Sequence, residues 1–436
     1  MRSSAGIAIL GGGASGLTLA RTLADLGFER VVVFEQAAEV GGKSCTVELD
    51  GRPHDLGATM GVPIDYRHVV GFSREAGLAT APLPAERHYS VVRGRAVAHA
   101  RRDLPRVLAE AAKYVALHAR AWRDADAGLH RADPALFAPW RDVVARHGLH
   151  AASRRMLCYR TGFGYGFDDE VPAVMYASLI KPRTLLGLAT GAPFVWQGGT
   201  QPIWRALAAR LAARLELRTA TRVTRIARDA TGATVWSTRA GRARCERFDR
   251  VVIAFDPAQA LPILDASAAE RRWFSQIRTY PYATVACEVE GLAAGRAELG
   301  YIDENMRRDR VGRPMAWVKR YADRDVYVFH LFAPDALPDA ELARRIGDDV
   351  ARLGGRLVRV RAARRWSFFP HFPSAFIRAG GLAELDRWQG ERHTYVIGEA
   401  LSFATMARVS EHAVRFAHRI AEDAPARARA SARLAS

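Results

Sequence analysis

Apolar residues run unbroken from Ile7 to Leu10, a length that predicts a buried strand. Glycines follow at Gly11, Gly13 and Gly16, and then Leu17, Leu19, Ala20, Leu23 and Leu26 recur at helical spacing. The pattern predicts a strand, a tight turn and a helix. A second apolar run, Val31 to Phe34, predicts another strand and ends in the acid Glu35. Near the other end, Tyr395 to Ile397 predicts a strand that leads into Gly398 and Glu399. After these comes a helix that places Met406, Val409, Ala413, Phe416 and Ile420 on one face.

The glycine spacing carries chemistry. Gly11 permits the turn, Gly13 lets a pyrophosphate approach the backbone, and Gly16 lets helix and strand pack closely. The phosphates then sit at a helix N-terminus, beside Ala14 and Ser15, where N–H groups are unpaired. Glu35 lies where a carboxylate accepts hydrogen bonds from the adenosine ribose hydroxyls, with Gln36 next to it. A glycine triplet alone is weak evidence, because glycine turns also serve plain packing. The complete strand, turn, helix, strand and acid unit makes that bland alternative improbable.

Composition sets outer bounds. A chain of 436 residues with 49% hydrophobic content has room for two or three domains and a large core. The formal charge is +18, from 64 basic and 46 acidic residues. The arginines are scattered, lysine occurs at Lys43, Lys113, Lys181 and Lys319 alone, and no nucleic-acid module is recognisable. The charge therefore suits acidic partners such as fatty carboxylates, anionic membranes or acyl carriers rather than nucleic acid. Cys45, Cys158, Cys245 and Cys287 show neither close pairing nor metal spacing, which points to a metal-free protein of a reducing cytoplasm. No apolar run is long enough to span a membrane, and the apolar start is already the first strand, so no signal peptide is expected. The arginine- and alanine-rich tail, residues 422–436, has no apolar face and is expected to fray as a disordered end.

Directly after Glu35 the chain reads "QAAEVGGKS", and shortly afterwards "HDLGATM". With the C-terminal "TYVIGEALSF", these motifs resemble the amine-oxidase-like superfamily of FAD proteins. The resemblance implies a Rossmann-type FAD-binding domain of the amine oxidase and glutathione reductase kind, α/β within an α+β whole. A substrate domain of mixed sheet and helices is inserted into it. In such proteins the second glycine pair, Gly41 and Gly42, lets a loop close over the pyrophosphate; Lys43 stands where arginine is usual, keeping the charge but losing bidentate geometry. The resemblance also places Gly57, Ala58, Thr59, Met60 and Phe403 at the cofactor, Val223 at the adenine, and Gly398 and Glu399 at the ribityl phosphate. It aims the N-terminus of the last helix at the flavin pyrimidine, where a positive helix end favours negative charge. The FAD domain is expected from residues 1–81, 195–261 and 391–421, and the substrate domain from 82–194 and 262–390. Covalent members use a cysteine near the C-terminal motif, and Cys287 is the last cysteine here, so the FAD is expected to be non-covalent.

A closer resemblance spreads over nearly the whole chain. "GATMGVP", "TGFGYGFDDEVPAVMY", "YIDENMRRDRVGRP", "WSFFPHF" and "WQGERHTYVIGEALSF" occur in the order found in bacterial polyunsaturated fatty acid double-bond isomerases. Fungal flavin dehydrogenases of alkaloid biosynthesis are more distant kin. The isomerase resemblance implies hydride loss from a bis-allylic carbon to flavin N5 and return at another carbon, with no net redox change. It implies Arg87 as the anchor of a substrate carboxylate, although any arginine in so arginine-rich a chain has the solvated alternative. It implies Phe163, with its neighbour Tyr165, as the aromatic that stabilises the cation; the plain alternative is core. A second aromatic is replaced by Leu188. "WSFFPHF" reads as a strand with one face on a cavity, contributing Phe369 to the substrate pocket, with most of the stretch core and His371 structural. Amine oxidases place a lysine near flavin N5, yet "YPYATVACEVE" has none, which weakens an oxidase reading. Three functions stand: a redox-neutral isomerase of an unsaturated acid, an FAD oxidase or dehydrogenase of an amine or natural-product intermediate, and a flavin-binding protein without turnover.

Overall fold

Four consecutive buried residues make the strand Ile7–Leu10, and the β-branched run Val31–Phe34 pairs with it in parallel, Ile7 opposite Val31. In the computed structural model, which describes residues 5–98, 101–190, 193–293 and 295–434, both belong to a five-stranded sheet. Its order is Glu216–Arg218, Val31–Phe34, Ile7–Leu10, Arg250–Ile253 and Thr394–Val396, every neighbouring pair parallel. A parallel sheet must be covered on both faces. Leu17, Leu19, Leu23, Ile203, Leu207, Phe416 and Ile420, from the helices Ala14–Asp25, Gln201–Leu211 and Met406–Leu434, cover one. Ile226, Val235 and Phe248 of a three-stranded antiparallel sheet pack with Ala8, Phe34 and Val251 to cover the other.

The second large layer is a seven-stranded mixed sheet. Its order is Arg356–His371, Arg278–Glu290, Val326–Phe332, Ala316–Lys319, Glu298–Ile302, Glu86–Ser90 and Arg95–Val97. Glu86–Ser90 and Glu298–Ile302 run parallel; the other pairs are antiparallel. Alternation gives this sheet two lives. One face buries Val285, Cys287, Trp317 and Phe329 against Leu342, Ile346 and Val350 of the helix Asp339–Arg352. The other carries Tyr282, Leu299, Tyr301, Ala316 and Phe332, packed with Phe163 and Phe167.

One terminal expectation is corrected. The last helix continues to Leu434, so most of the tail expected to fray is helical; residues 435 and 436 lie outside the described residues. Alanine and arginine are strong helix formers, and that propensity prolongs the helix without an apolar face.

Candidate active site

The first turn is built by contact. A Cβ on Gly16 would stand 1.9 Å from the Gly11 carbonyl oxygen, so helix and strand meet there only through glycine. The Gly41–Gly42 turn docks on this one: the Gly41 N–H donates to the Gly12 carbonyl at 2.9 Å, and Gly13 bridges to Gly41. A Cβ on Gly42 would lie 3.2 Å from the Gly13 Cα. At the end of the second strand the Glu35 carboxylate is fixed by backbone donors, Gly12 N–H to Oε2 and Ala37 N–H to Oε1, both at 2.8 Å. Ser15 Oγ is buried and has no hydrogen-bond partner among the described residues. A buried hydroxyl costs free energy until it is paired, and a pyrophosphate oxygen at this helix N-terminus is the partner its position suits.

A cavity of about 960 Å³ extends from this cradle into the molecule. Gly11, Gly13, Ala14, Ser15, Glu35 and Gln36 line it, as do Gly42, Lys43, Gly57, Ala58, Thr59, Met60, Val223, Gly398 and Glu399. The Lys43 ammonium pairs with Glu399 at 2.5 Å and lies 5.6 Å from the Phe368 ring centroid. Gly16 acts behind the wall through packing. Phe403 is not a lining residue: it is fully buried, its ring 4.7 Å from that of Tyr165, and supports the wall from the rear.

Deeper in, the cavity turns aromatic. Phe163, Tyr165 and Leu188 line it with Met156, Tyr159, Tyr282, His330 and Phe368. The Phe163 ring is held edge-on by Tyr301 and His330, at centroid distances of 6.1 and 5.4 Å. Tyr165 stacks on Phe368 at 5.4 Å and donates to the Ala404 carbonyl at 3.3 Å. Burial raises the Tyr165 phenol above its ordinary pKa, so it stays neutral.

Two residues expected at the substrate lie off the cavity lining, and strand geometry is the reason. Arg87 does not line the cavity; it is half-exposed and pairs with the buried Glu298 at 3.3 Å. Alternation on Glu86–Ser90 is the reason: Glu86 and His88 pair with Leu299 and Tyr301, which face the aromatic side, and Arg87 turns to the other. Phe369 also misses the cavity and is fully buried beside Phe403. Its backbone is left-handed, φ 52°, and the ladder to Arg278–Glu290 shifts register there, which leaves Phe368 on the wall in its place. His371 is buried, bonded through Nδ1 to the Phe369 carbonyl at 2.9 Å, and stacked on Tyr280 and Phe369. Lys319 is fully buried and spent on the Ala293 carbonyl and Asp325, at 2.7 and 2.9 Å.

The sequence pattern does not mark Tyr282, His330 and Arg408, all of which line the cavity, whereas Trp366 lines it from the stretch read as a cavity strand. Tyr282 and Thr284 carry the weak signal of alternation on one strand. His330, a single histidine in an apolar strand, carries none. Arg408 is buried and bonded to Asp65 and Glu411, both at 2.7 Å, and to the Ser178 carbonyl at 2.8 Å. Burial pushes the Asp65 carboxyl up, but Arg408, Thr184 and Arg183 hold it below its ordinary value, so Asp65 stays ionised beside them. Among the described residues there is no cluster able to hold a metal ion and no helix long and apolar enough to cross a membrane.

The chain is similar over its length to a solved fatty acid isomerase from P. acnes described as producing CLA. The two share 27% identity and a TM-score of 0.87, covering 95% of this chain and 98% of that one. A putrescine oxidase has the same fold at 17% identity and a TM-score of 0.71, covering 97% of this chain and 100% of the oxidase. So does the cyclohexylamine oxidase of Brevibacterium oxydans, at 16% and 0.69, with 97% and 99% covered. The provisionally named flavin-containing monoamine oxidase AofH of Mycobacterium tuberculosis is 28% identical over 285 residues. That match spans 59% of this chain and 58% of the relative's length. The family model of flavin-containing amine oxidoreductases matches residues 14–421: the chain belongs to that family, and the cofactor suited to its glycine cradle is FAD.

Proposed function

We propose that this flavoenzyme is a double-bond isomerase of an unsaturated, hydrophobic carboxylic acid. The observation that carries the reading is the wall beyond the cradle: Phe163, Tyr165, Tyr282 and Phe368 surround it, and the lysine lining the cavity is Lys43, already paired with Glu399. The likeness to the P. acnes isomerase along both chains supports it further. FAD, when bound, supplies reversible hydride transfer.

The protein's part is to position and to shield. Met60, Met156, Leu179, Ile180 and Leu188 make an apolar lining that excludes water from a reactive, positively charged chain. Phe163, fixed edge-on between Tyr301 and His330, offers π-density to the positive charge that spreads over the polyene when a hydride leaves. Neutral Tyr165 and Tyr282 add to that wall without offering a competing base. No side chain needs to move a proton in this reaction.

The test is turnover under nitrogen. Linoleic acid or a related polyene acid, with no added acceptor, should give rising conjugated-diene absorbance, and deuterium from the bis-allylic carbon should reappear at the new position. An amine oxidase is the second reading, favoured by the names of the relatives. Turnover that requires oxygen and releases hydrogen peroxide stoichiometrically would replace the isomerase with it.

A further inference from the structure

His330 lies on the strand Val326–Phe332, in the middle of the seven-stranded sheet, and lines the aromatic end of the cavity. It is 2% exposed. Its Nδ1 is 3.0 Å from the Tyr282 hydroxyl, whereas Nε2 is buried with no hydrogen-bond partner among the described residues. Its neighbours across the sheet do not supply one. Ala316 on one side has only a methyl group, and Thr284 on the other has its hydroxyl committed to the Leu56 carbonyl at 2.6 Å.

The tautomer follows from counting donors. If Tyr282 donates to Nδ1, one group is left over, the Nε2–H. If Nδ1–H donated to the phenol oxygen, the phenol O–H and the bare Nε2 would both be left. The first arrangement leaves fewer buried groups unpaired. Burial raises the Tyr282 phenol and pushes the His330 imidazole down to about 4, so both stay neutral near pH 7. What remains is a neutral, unpartnered N–H donor on a residue that lines the cavity together with Phe163, Tyr165 and Phe368. A plain hydrocarbon chain leaves that donor unpaired, and sites with a buried unpaired donor discriminate strongly against ligands that cannot meet it.

We propose that His330 Nε2–H recognises an oxygen acceptor on the substrate chain, so that the cavity selects unsaturated acids bearing a hydroxyl or keto oxygen near Phe163 over unsubstituted ones. The inference rests on the proposed acid substrate and adds its functional group. Tyr282 is the positioning residue, holding the imidazole in the donating tautomer.

The experiment titrates the FAD-loaded enzyme and follows the flavin spectrum. The probes are oleic acid and octadecenoic acids whose single hydroxyl or keto group is stepped along the chain. One position should bind about tenfold or more tighter than oleic acid. His330→Phe should erase that preference, so that the favoured oxygenated acid and oleic acid bind alike. His330→Gln, which retains a side-chain N–H, should restore part of it, and Tyr282→Phe should weaken it. FAD content reports whether each variant is folded. Equal affinity across the set, or a preference that survives His330→Phe, overturns the role of His330 alone. Failure of every acid to bind overturns the acid substrate and this proposal together. A hydroxyl or keto preference without diene formation from linoleic acid leaves His330 standing and removes only the isomerase.

Discussion

Ser15 and Gly16 stand side by side in the turn and answer opposite demands. Ser15 brings a buried hydroxyl without a partner among the described residues, so it weighs against the fold until the cofactor binds. Ser15→Ala should therefore leave the melting temperature of the FAD-free protein unchanged or slightly higher. It should weaken FAD binding by about 1.5–3 kcal/mol, the worth of a hydrogen bond to a charged group. Fluorescence titration with FAD and a thermal scan read the two halves. Gly16→Val should lose both fold and cofactor, because its Cβ would have to occupy the place of the Gly11 carbonyl oxygen. Phe163 is the residue to which the proposed reaction gives the corresponding role. Phe163→Leu keeps an apolar wall but removes the ring, and turnover of the polyene should fall about 5–30-fold, the range of a desolvated cation–π contact, with FAD content intact. Unchanged turnover would make Phe163 an ordinary core residue.

The elements around the five-stranded sheet are joined by a buried ion pair. Arg228, on the strand Arg222–Asp229, holds Glu270 at 2.5 Å with both side chains fully buried, and also reaches Thr394 on the edge strand at 3.0 Å. Glu270 caps its own helix too, accepting from the Ser267 N–H at 2.6 Å. Arg228 also holds Asp265 at 2.6 Å and so keeps a counter-charge when Glu270 is neutralised, and Glu270→Gln should cost about 1–3 kcal/mol in denaturant unfolding. Burial pushes the Glu270 carboxyl up, yet Arg228 and Ser267 hold it below its ordinary 4.5. A depressed folded pKa contributes stability that is present above the unfolded value and lost as pH falls through the folded one. The wild type should therefore lose stability on acidification below about 4.5 more steeply than Glu270→Gln. Elements also mark how far the sequence can be read. The glycine turns and the Gly398–Glu399 motif are local, and the side chains they present to the cavity follow from a few neighbouring residues. Arg87 is not local: whether it or Glu86 lies on the aromatic side of the sheet depends on pairing with residues more than 200 positions away. Phe368 and Phe369 are adjacent, and a left-handed residue with a register shift decides between them, which strict alternation cannot anticipate. His330 and Tyr282 acquire meaning only when their two strands pair.

At the scale of the whole molecule, FAD is a tie between distant parts of the chain. The cavity is lined by Gly13 and Glu35, by Lys43 and Gly57, by Val223, and by Gly398 and Met406, so a ligand spanning it binds the folded chain and not the unfolded one. Such a ligand stabilises by mass action, about 2.7 kcal/mol at a hundred times its Kd. Stripping FAD should lower the melting temperature, and adding it back should restore it in a concentration-dependent way. That reversibility requires the cofactor to be non-covalent. Of the cysteines, Cys45 lines the cavity, and burial raises its thiol above the ordinary value, which keeps it protonated and a poor nucleophile towards the flavin. Cys158 and Cys287 are buried outside the lining, with their thiols raised by the same cause. Acid precipitation of the yellow protein should accordingly leave all the FAD in the supernatant, intact by chromatography. Flavin fluorescence retained on the denatured chain would overturn this, and loss of that fluorescence in Cys45→Ser would identify the attachment point.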